Sequence, residues 1–133
     1  MRYEASFLIL SLALLLSPSS ADAHHSFAAE YDSDKPVQIT GTVTKVEWTN
    51  PHVHFYVNVK NDQGEVVNWN IELGPPLILR HLGWRQDSLK TGDQVTVEGY
   101  PAKDHSSLAN AKKVTLADGR SVFAGSSAEK RGE

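Results

Sequence analysis

The sequence predicts an all-β domain with one short helix, folded as a five-stranded Greek-key barrel of the OB type. Three observations predict it. Five segments carry the β-branched, alternating pattern of strands. One short helical segment falls between the third and the fourth of them. The first strand is long and carries Gly41 in its middle, where a barrel strand bends or another backbone comes close. A β-sandwich would need about seven strands.

The chain has 133 residues, enough for one domain with a single modest core. Residues 1–23 read as a secretory signal peptide. Arg2 precedes an apolar run over 7–16 that is broken only by Ser11. Ten residues of helix rise about 15 Å, roughly half the hydrocarbon core of a bilayer, so no membrane span is expected from it. The run ends in Ala21-Asp22-Ala23, a small-x-small cut site, and no cysteine follows for lipid anchoring. The expected location is therefore the periplasm. A cut after Ala23 makes His24 the new N-terminus, whereas a cut after Ala21 leaves Asp22-Ala23-His24.

Residues 24–35 lack periodicity and read as an N-terminal arm, and 36–123 form the barrel. The small and charged residues 124–133 read as a disordered tail. Within the barrel, 37–48 (VQITGTVTKVEW) is the first strand and Thr49-Asn50-Pro51 a turn. Residues 52–60 (HVHFYVNVK) alternate strictly: Val53, Phe55, Val57 and Val59 face one side, and His52, His54, Tyr56 and Asn58 the other. A hairpin loop over 61–64 leads to a strand over 66–73 with Val67, Trp69, Ile71 and Leu73 on one face. Residues 77–82 are predicted helical, with proline at the start and Gly83 past the end. Strands follow over 93–100 and 111–116, and Asp118-Gly119 turns the chain into Ser121-Val122-Phe123.

The order His24-His25-Ser26-Phe27-Ala28-Ala29-Glu30-Tyr31-Asp32, Glu47-Trp48-Thr49-Asn50-Pro51-His52, Gly99-Tyr100-Pro101-Ala102-Lys103 and Ala117-Asp118-Gly119-Arg120 resembles an uncharacterised family of small exported bacterial proteins, a domain of unknown function. The resemblance covers nearly all of the chain after the leader. It implies a periplasmic OB-like domain without an assigned activity. It also implies glycine where this chain has His105, which places His105 outside any shared site. A looser resemblance is to periplasmic OB-fold copper chaperones, which hold Cu(I) with methionine and histidine. The only methionine here is Met1, so that mode does not carry over.

Composition excludes more than it identifies. Without cysteine there is no disulfide scaffold, thiolate zinc site, iron–sulfur cluster or cysteine nucleophile. No nucleophile elbow, phosphate loop or H-E-x-x-H occurs, so no enzyme is expected and no catalytic residue is assigned. The net charge of -3 argues against nucleic acid, or an anionic membrane surface, as the main partner.

Six histidines remain as borderline ligands: His24, His25, His52, His54, His81 and His105. Imidazole suits Cu(II), Zn(II) and Ni(II). His52 and His54 leave one face of their strand with Cβ atoms about 6–7 Å apart, close enough to converge on one ion. A terminus at His24 would add a free amine and its own imidazole. A terminus at Asp22 would instead offer an amine, two amides and an imidazole in a square plane.

The expected function is a non-enzymatic binding module that holds a divalent metal, copper(II) first, through His24, His25, His52 and His54. The alternative is a module without cofactor that docks a periplasmic protein or a ligand along the Trp48–His52 edge, using Trp48, Asn50 and Tyr56. Trp48 is read as a barrel cap, Trp69 as core, and Trp84 as packing the helix onto the barrel. Glu47 and Glu72 are read as surface charges, with a role as carboxylate ligand or imidazole-orienting group as the alternative.

Overall fold

The computed structural model describes residues 26–128. A helical turn over 26–30, α1, is followed by β1 (Val37–Glu47), β2 (His54–Lys60), β3 (Val66–Glu72), α2 (Pro76–His81), β4 (Gln94–Pro101), β5 (Leu108–Thr115) and β6 (Ser121–Phe123). The sheet order is β3-β2-β1-β4-β5-β6, and a further β3–β5 pairing closes five of the strands into a barrel. That closing pair is parallel, and the others are antiparallel. The predicted OB-type barrel is the fold observed. Among the described residues no helix is long and apolar enough to cross a membrane.

β1 serves two neighbours. Val37–Thr42 pair with β4, and Thr42–Glu47 pair with β2 across a bulge between Val43 and Lys45. Gly41 sits where the strand changes partner. A Cβ there would run into the carbonyl oxygen of Asn58, so the close backbone approach expected at this glycine is real. Gly99 is a second such point, where the carbonyl oxygen of Asn110 fills the space of a Cβ.

The alternation read in the second strand holds. Val53, Phe55 and Val57 are buried, while His52, His54 and Tyr56 are half-buried on the other face. They join Val43, Ile71, Leu73, Val97 and Val114 in one core, against which Trp48 and Trp69 pack while half-buried. α2 buries Pro76 and Leu79, and Trp84 beyond it is buried. The Trp84 indole N–H donates to the Phe123 carbonyl at 2.8 Å, which ties the helix to β6.

Three segments differ from expectation. β5 begins at Leu108 rather than 111, because Leu108–Asn110 pair with β3 and Ala109–Asn110 with the end of β4. Ala109, Asn110 and Ala111 are poor strand formers, and pairing on both sides overrides their propensity. The arm carries α1 and docks onto the barrel. Phe27 and Tyr31 are buried, with the Phe27 ring 5.3 Å from Tyr31 and 5.7 Å from Tyr100. Residues 124–128, taken above with the tail, run back across the barrel. Ala124 and Ser126 are buried, and Gly74 N–H donates to the Ala124 carbonyl at 2.7 Å. The leader, His24, His25 and residues 129–133 lie outside the described residues.

Candidate functional site

The arm, β2, β3, β5 and the C-terminal segment meet around one carboxylate. Glu72 closes β3 and pairs in register with His54 at the start of β2. Its Oε2 accepts from the Tyr31 hydroxyl at 3.0 Å, and its Oε1 accepts from Asn110 Nδ2 at 3.1 Å. Asn110 is buried and held in turn, because Ser126 Oγ donates to its Oδ1 at 2.6 Å. Two hydrogen bonds from separate elements orient a carboxylate far more tightly than solvent does.

His54 faces this carboxylate. Its Nδ1 lies 2.7 Å from Asn70 Oδ1, an oxygen that can only accept, so Nδ1 carries a proton. Its Nε2 lies 4.0 Å from Glu72 Oε2. In the neutral ring that nitrogen presents a lone pair to an anionic oxygen. A proton on that nitrogen, or a cation between the two atoms, would each turn the contact into an attraction.

On the arm side of Glu72 is a cleft of about 250 Å³ lined by Ser26, Phe27, Glu30, Tyr31, His52, Glu72 and Ser127. Burial, and next the nearby Glu72, push the Glu30 carboxyl up from its ordinary value, while His54 and His52 pull it down. Burial, followed by Glu72 and Glu30, drives the Tyr31 phenol far up, so it is a permanent donor.

The structure thus brings His52, His54 and Glu72 to one end of the barrel and places Ser26, the residue after His25, at the same cleft. It does not bring three ligands into contact. Among the described residues no three His, Asp or Glu side chains converge as a metal cage. His24 and His25 lie outside the described residues. Tyr56 stands apart: its hydroxyl donates to Glu47 Oε2 at 3.3 Å, and the Lys45 ammonium lies 5.6 Å from its ring centroid. Glu47 also pairs with Lys45 at 2.6 Å and is the surface charge expected. Trp48 packs against the core, and its buried Nε1 has no hydrogen-bond partner among the described residues. Asn50 is exposed and precedes a cis peptide to Pro51.

Glu72 corrects the reading as a surface charge. It is half-buried and twice hydrogen-bonded, which sequence alone could signal only through its place at the end of a strand beside Gly74-Pro75-Pro76. His105 sits outside the site at φ 63°, a left-handed conformation that favours glycine. This is a backbone reason for the glycine that the family resemblance implied there.

A family model described as a family of unknown function, DUF6152, matches residues 13–111. The chain belongs to that family. No curated protein matches this DUF6152 chain. Solved structures that resemble it include two crystal forms of Rim1, the mitochondrial single-stranded DNA binding protein of S. cerevisiae. One is 15% identical with a TM-score of 0.48, over 62% of this chain and 92% of that one. The other is 18% identical with a TM-score of 0.47, over 62% and 91%. These neighbours correct one expectation. They are named as single-stranded DNA binding proteins, against the expectation that nucleic acid is no partner. It rested on net charge, which averages over a surface, whereas nucleic-acid binding depends on the local field.

Proposed function

We propose that this protein is an exported, periplasmic, non-enzymatic OB-fold module that holds a divalent metal ion, copper(II) foremost, at His54 and Glu72. The observation that carries the reading is the facing of His54 Nε2 and Glu72 Oε2 at 4.0 Å, with His54 Nδ1 already committed to Asn70. Metal–nitrogen and metal–oxygen bonds are each about 2.0–2.2 Å. Two donors placed trans across a square plane are therefore about 4.1 Å apart, and square-planar coordination is the preference of Cu(II) and Ni(II). Asn70 accepts from the other ring nitrogen, which holds the imidazole in place and raises the basicity of Nε2.

Two donors bind weakly, so the remaining positions need ligands from elsewhere. His52 lines the same cleft. His24 and His25 directly precede Ser26, which lines it as well. Maturation after Ala23 would add an amine beside those imidazoles. The docked arm supports this reading because Phe27 and Tyr31 fasten the start of the chain to the barrel end that carries His54.

Calorimetric titration of the tag-free mature protein with Cu(II) tests the proposal. One ion per chain is expected, with affinity reduced about 10–100-fold in Glu72→Gln, in His54→Ala and in a form with one extra residue before His24. Equal weak affinity in all four proteins overturns it. Mass spectrometry of the exported protein establishes which residue begins the mature chain.

A further inference from the structure

One row of side chains crosses four strands on the outer face of the barrel. Gln94 on β4 pairs in register with Thr42 on β1, Thr42 with Asn58 on β2, and Asn58 with Asn68 on β3. Partners in register share a face of the sheet, so the four stand side by side. Hydrogen bonds join them: Gln94 Nε2 donates to Thr42 Oγ1, and Asn68 Nδ2 to Asn58 Oδ1 at 2.9 Å. Thr40 and Thr96 form the next pair, their hydroxyls 3.1 Å apart. All six are uncharged, whereas elsewhere on the sheet Lys45 pairs with Glu47 and Lys113 with Glu98. An open cavity of about 520 Å³ lies over the row, lined by Thr40, Thr42, Asn58 and Gln94 together with Lys60 and Val66. Lys60 and Val66 are themselves paired in register, and Val66 is 58% exposed. The volume is that of a small-molecule site.

Unspent hydrogen-bonding capacity selects the occupant. Each amide of the row spends one end on a neighbour and keeps the other. Among the described residues Asn58 Nδ2 donates to no group, and Gln94 Oε1 and Asn68 Oδ1 accept from none. The cavity therefore offers amide donors, amide acceptors, threonine hydroxyls that do both, and one apolar wall at Val66. No carboxylate lines it, and Lys60 is its one cation, too little charge to track the phosphates of a nucleic-acid strand at this place. A neutral sugar with an acetamido group matches each feature. Its hydroxyls donate and accept along the threonines, its amide carbonyl takes the Asn58 N–H, its amide N–H reaches a free amide oxygen, and its methyl covers Val66. We infer that this face is a binding site for a neutral oligosaccharide of N-acetylated amino sugars. It is separate from any metal at His54 and Glu72, since Asn58 lies four residues along β2 from His54, about 13 Å at the rise of a strand.

Calorimetric titration of the tag-free protein with chitohexaose tests the inference, beside cellohexaose, which lacks the acetamido groups, and a thymidine hexanucleotide. Chitohexaose should bind, and the other two at least about tenfold more weakly. Asn58→Ala with Gln94→Ala should reduce the chitohexaose affinity by about tenfold or more, as loss of two hydrogen bonds implies. Val66→Ser should narrow the advantage of chitohexaose over cellohexaose by several-fold, as loss of the apolar contact implies. Glu72→Gln should leave the sugar affinity unchanged, which separates failure here from failure of the metal reading. Circular dichroism checks that the variants fold. Absence of chitohexaose binding, equal binding of cellohexaose, or binding unaffected by the double amide variant overturns the inference. So does binding of the hexanucleotide that the double variant abolishes while the sugar is ignored, which would make the face a nucleic-acid site.

Discussion

The Tyr31 hydroxyl donates to Glu72 Oε2 at 3.0 Å, joining two residues 41 apart in the chain. The bond fastens an arm without sequence periodicity to the rim of a closed barrel, at the carboxylate that faces His54. Removal of the hydroxyl isolates its contribution. Tyr31→Phe should lower stability by about 1.5–3 kcal/mol, the range for a hydrogen bond to a charged group. Urea denaturation measures this. The Asp32 amide, which donates to the Pro101 carbonyl at 2.9 Å, should exchange faster with solvent as the arm loosens.

Glu30 gives the site a pH dependence whose sign follows from its surroundings. Burial first, and Glu72 next, hold its carboxyl above the ordinary value, so the folded state disfavours its charged form. The stability from this group is present at low pH and is lost as pH rises through the raised value. Glu30→Gln should therefore raise Tm at about pH 7 and have no such effect at about pH 3, where the carboxyl is protonated in both states. Thermal melts across that range, without added metal, check the direction.

His105 adopts φ 63° in the turn after Ala102, where its N–H donates to the Ala102 carbonyl at 3.2 Å. Left-handed backbone costs a side-chain-bearing residue about 1–2 kcal/mol, and glycine gives part of that back as unfolded-state entropy. His105→Gly should stabilise the fold by roughly 0.5–1 kcal/mol. It should leave metal binding unchanged, since His105 lies outside the site.

Gly41 and Gly99 mark the points where backbones touch. Gly41→Ala or Gly99→Ala pushes a Cβ into the carbonyl oxygen of Asn58 or Asn110, each of which is main chain and cannot rotate aside. Each variant should lose about 2–4 kcal/mol, well above the median for a point change. Gly99→Ala should in addition weaken metal binding, because the displaced Asn110 carries the amide that orients Glu72.

The barrel was legible because its cues are local and periodic. Strict alternation over His52 to Lys60 put Val53, Phe55 and Val57 inside and both histidines on the other face, as observed. The glycine in the first strand and the proline-bounded helix were read from turn chemistry. The arm was not legible, since Phe27 and Tyr31 have no repeat to reveal that they are buried. Ser126 lies in a small, polar stretch, and only the fold brings its hydroxyl to Asn110. Glu72 gains its importance only from partners 41 and 38 residues away, which no window of sequence displays. Nor does net charge disclose the local field at any one face of the barrel.

The central claim is that His54 and Glu72 hold a cation between them. Nitrogen-15 spectra of the imidazoles, recorded while Zn(II) is added as a diamagnetic probe to the tag-free protein, address it most directly. The His54 Nε2 resonance should shift while Nδ1 remains protonated and bonded to Asn70, and Glu72→Gln should suppress the change, as expected when both side chains hold the ion. Resonances of both His54 nitrogens that stay in place while the ion binds elsewhere, or does not bind, would contradict it.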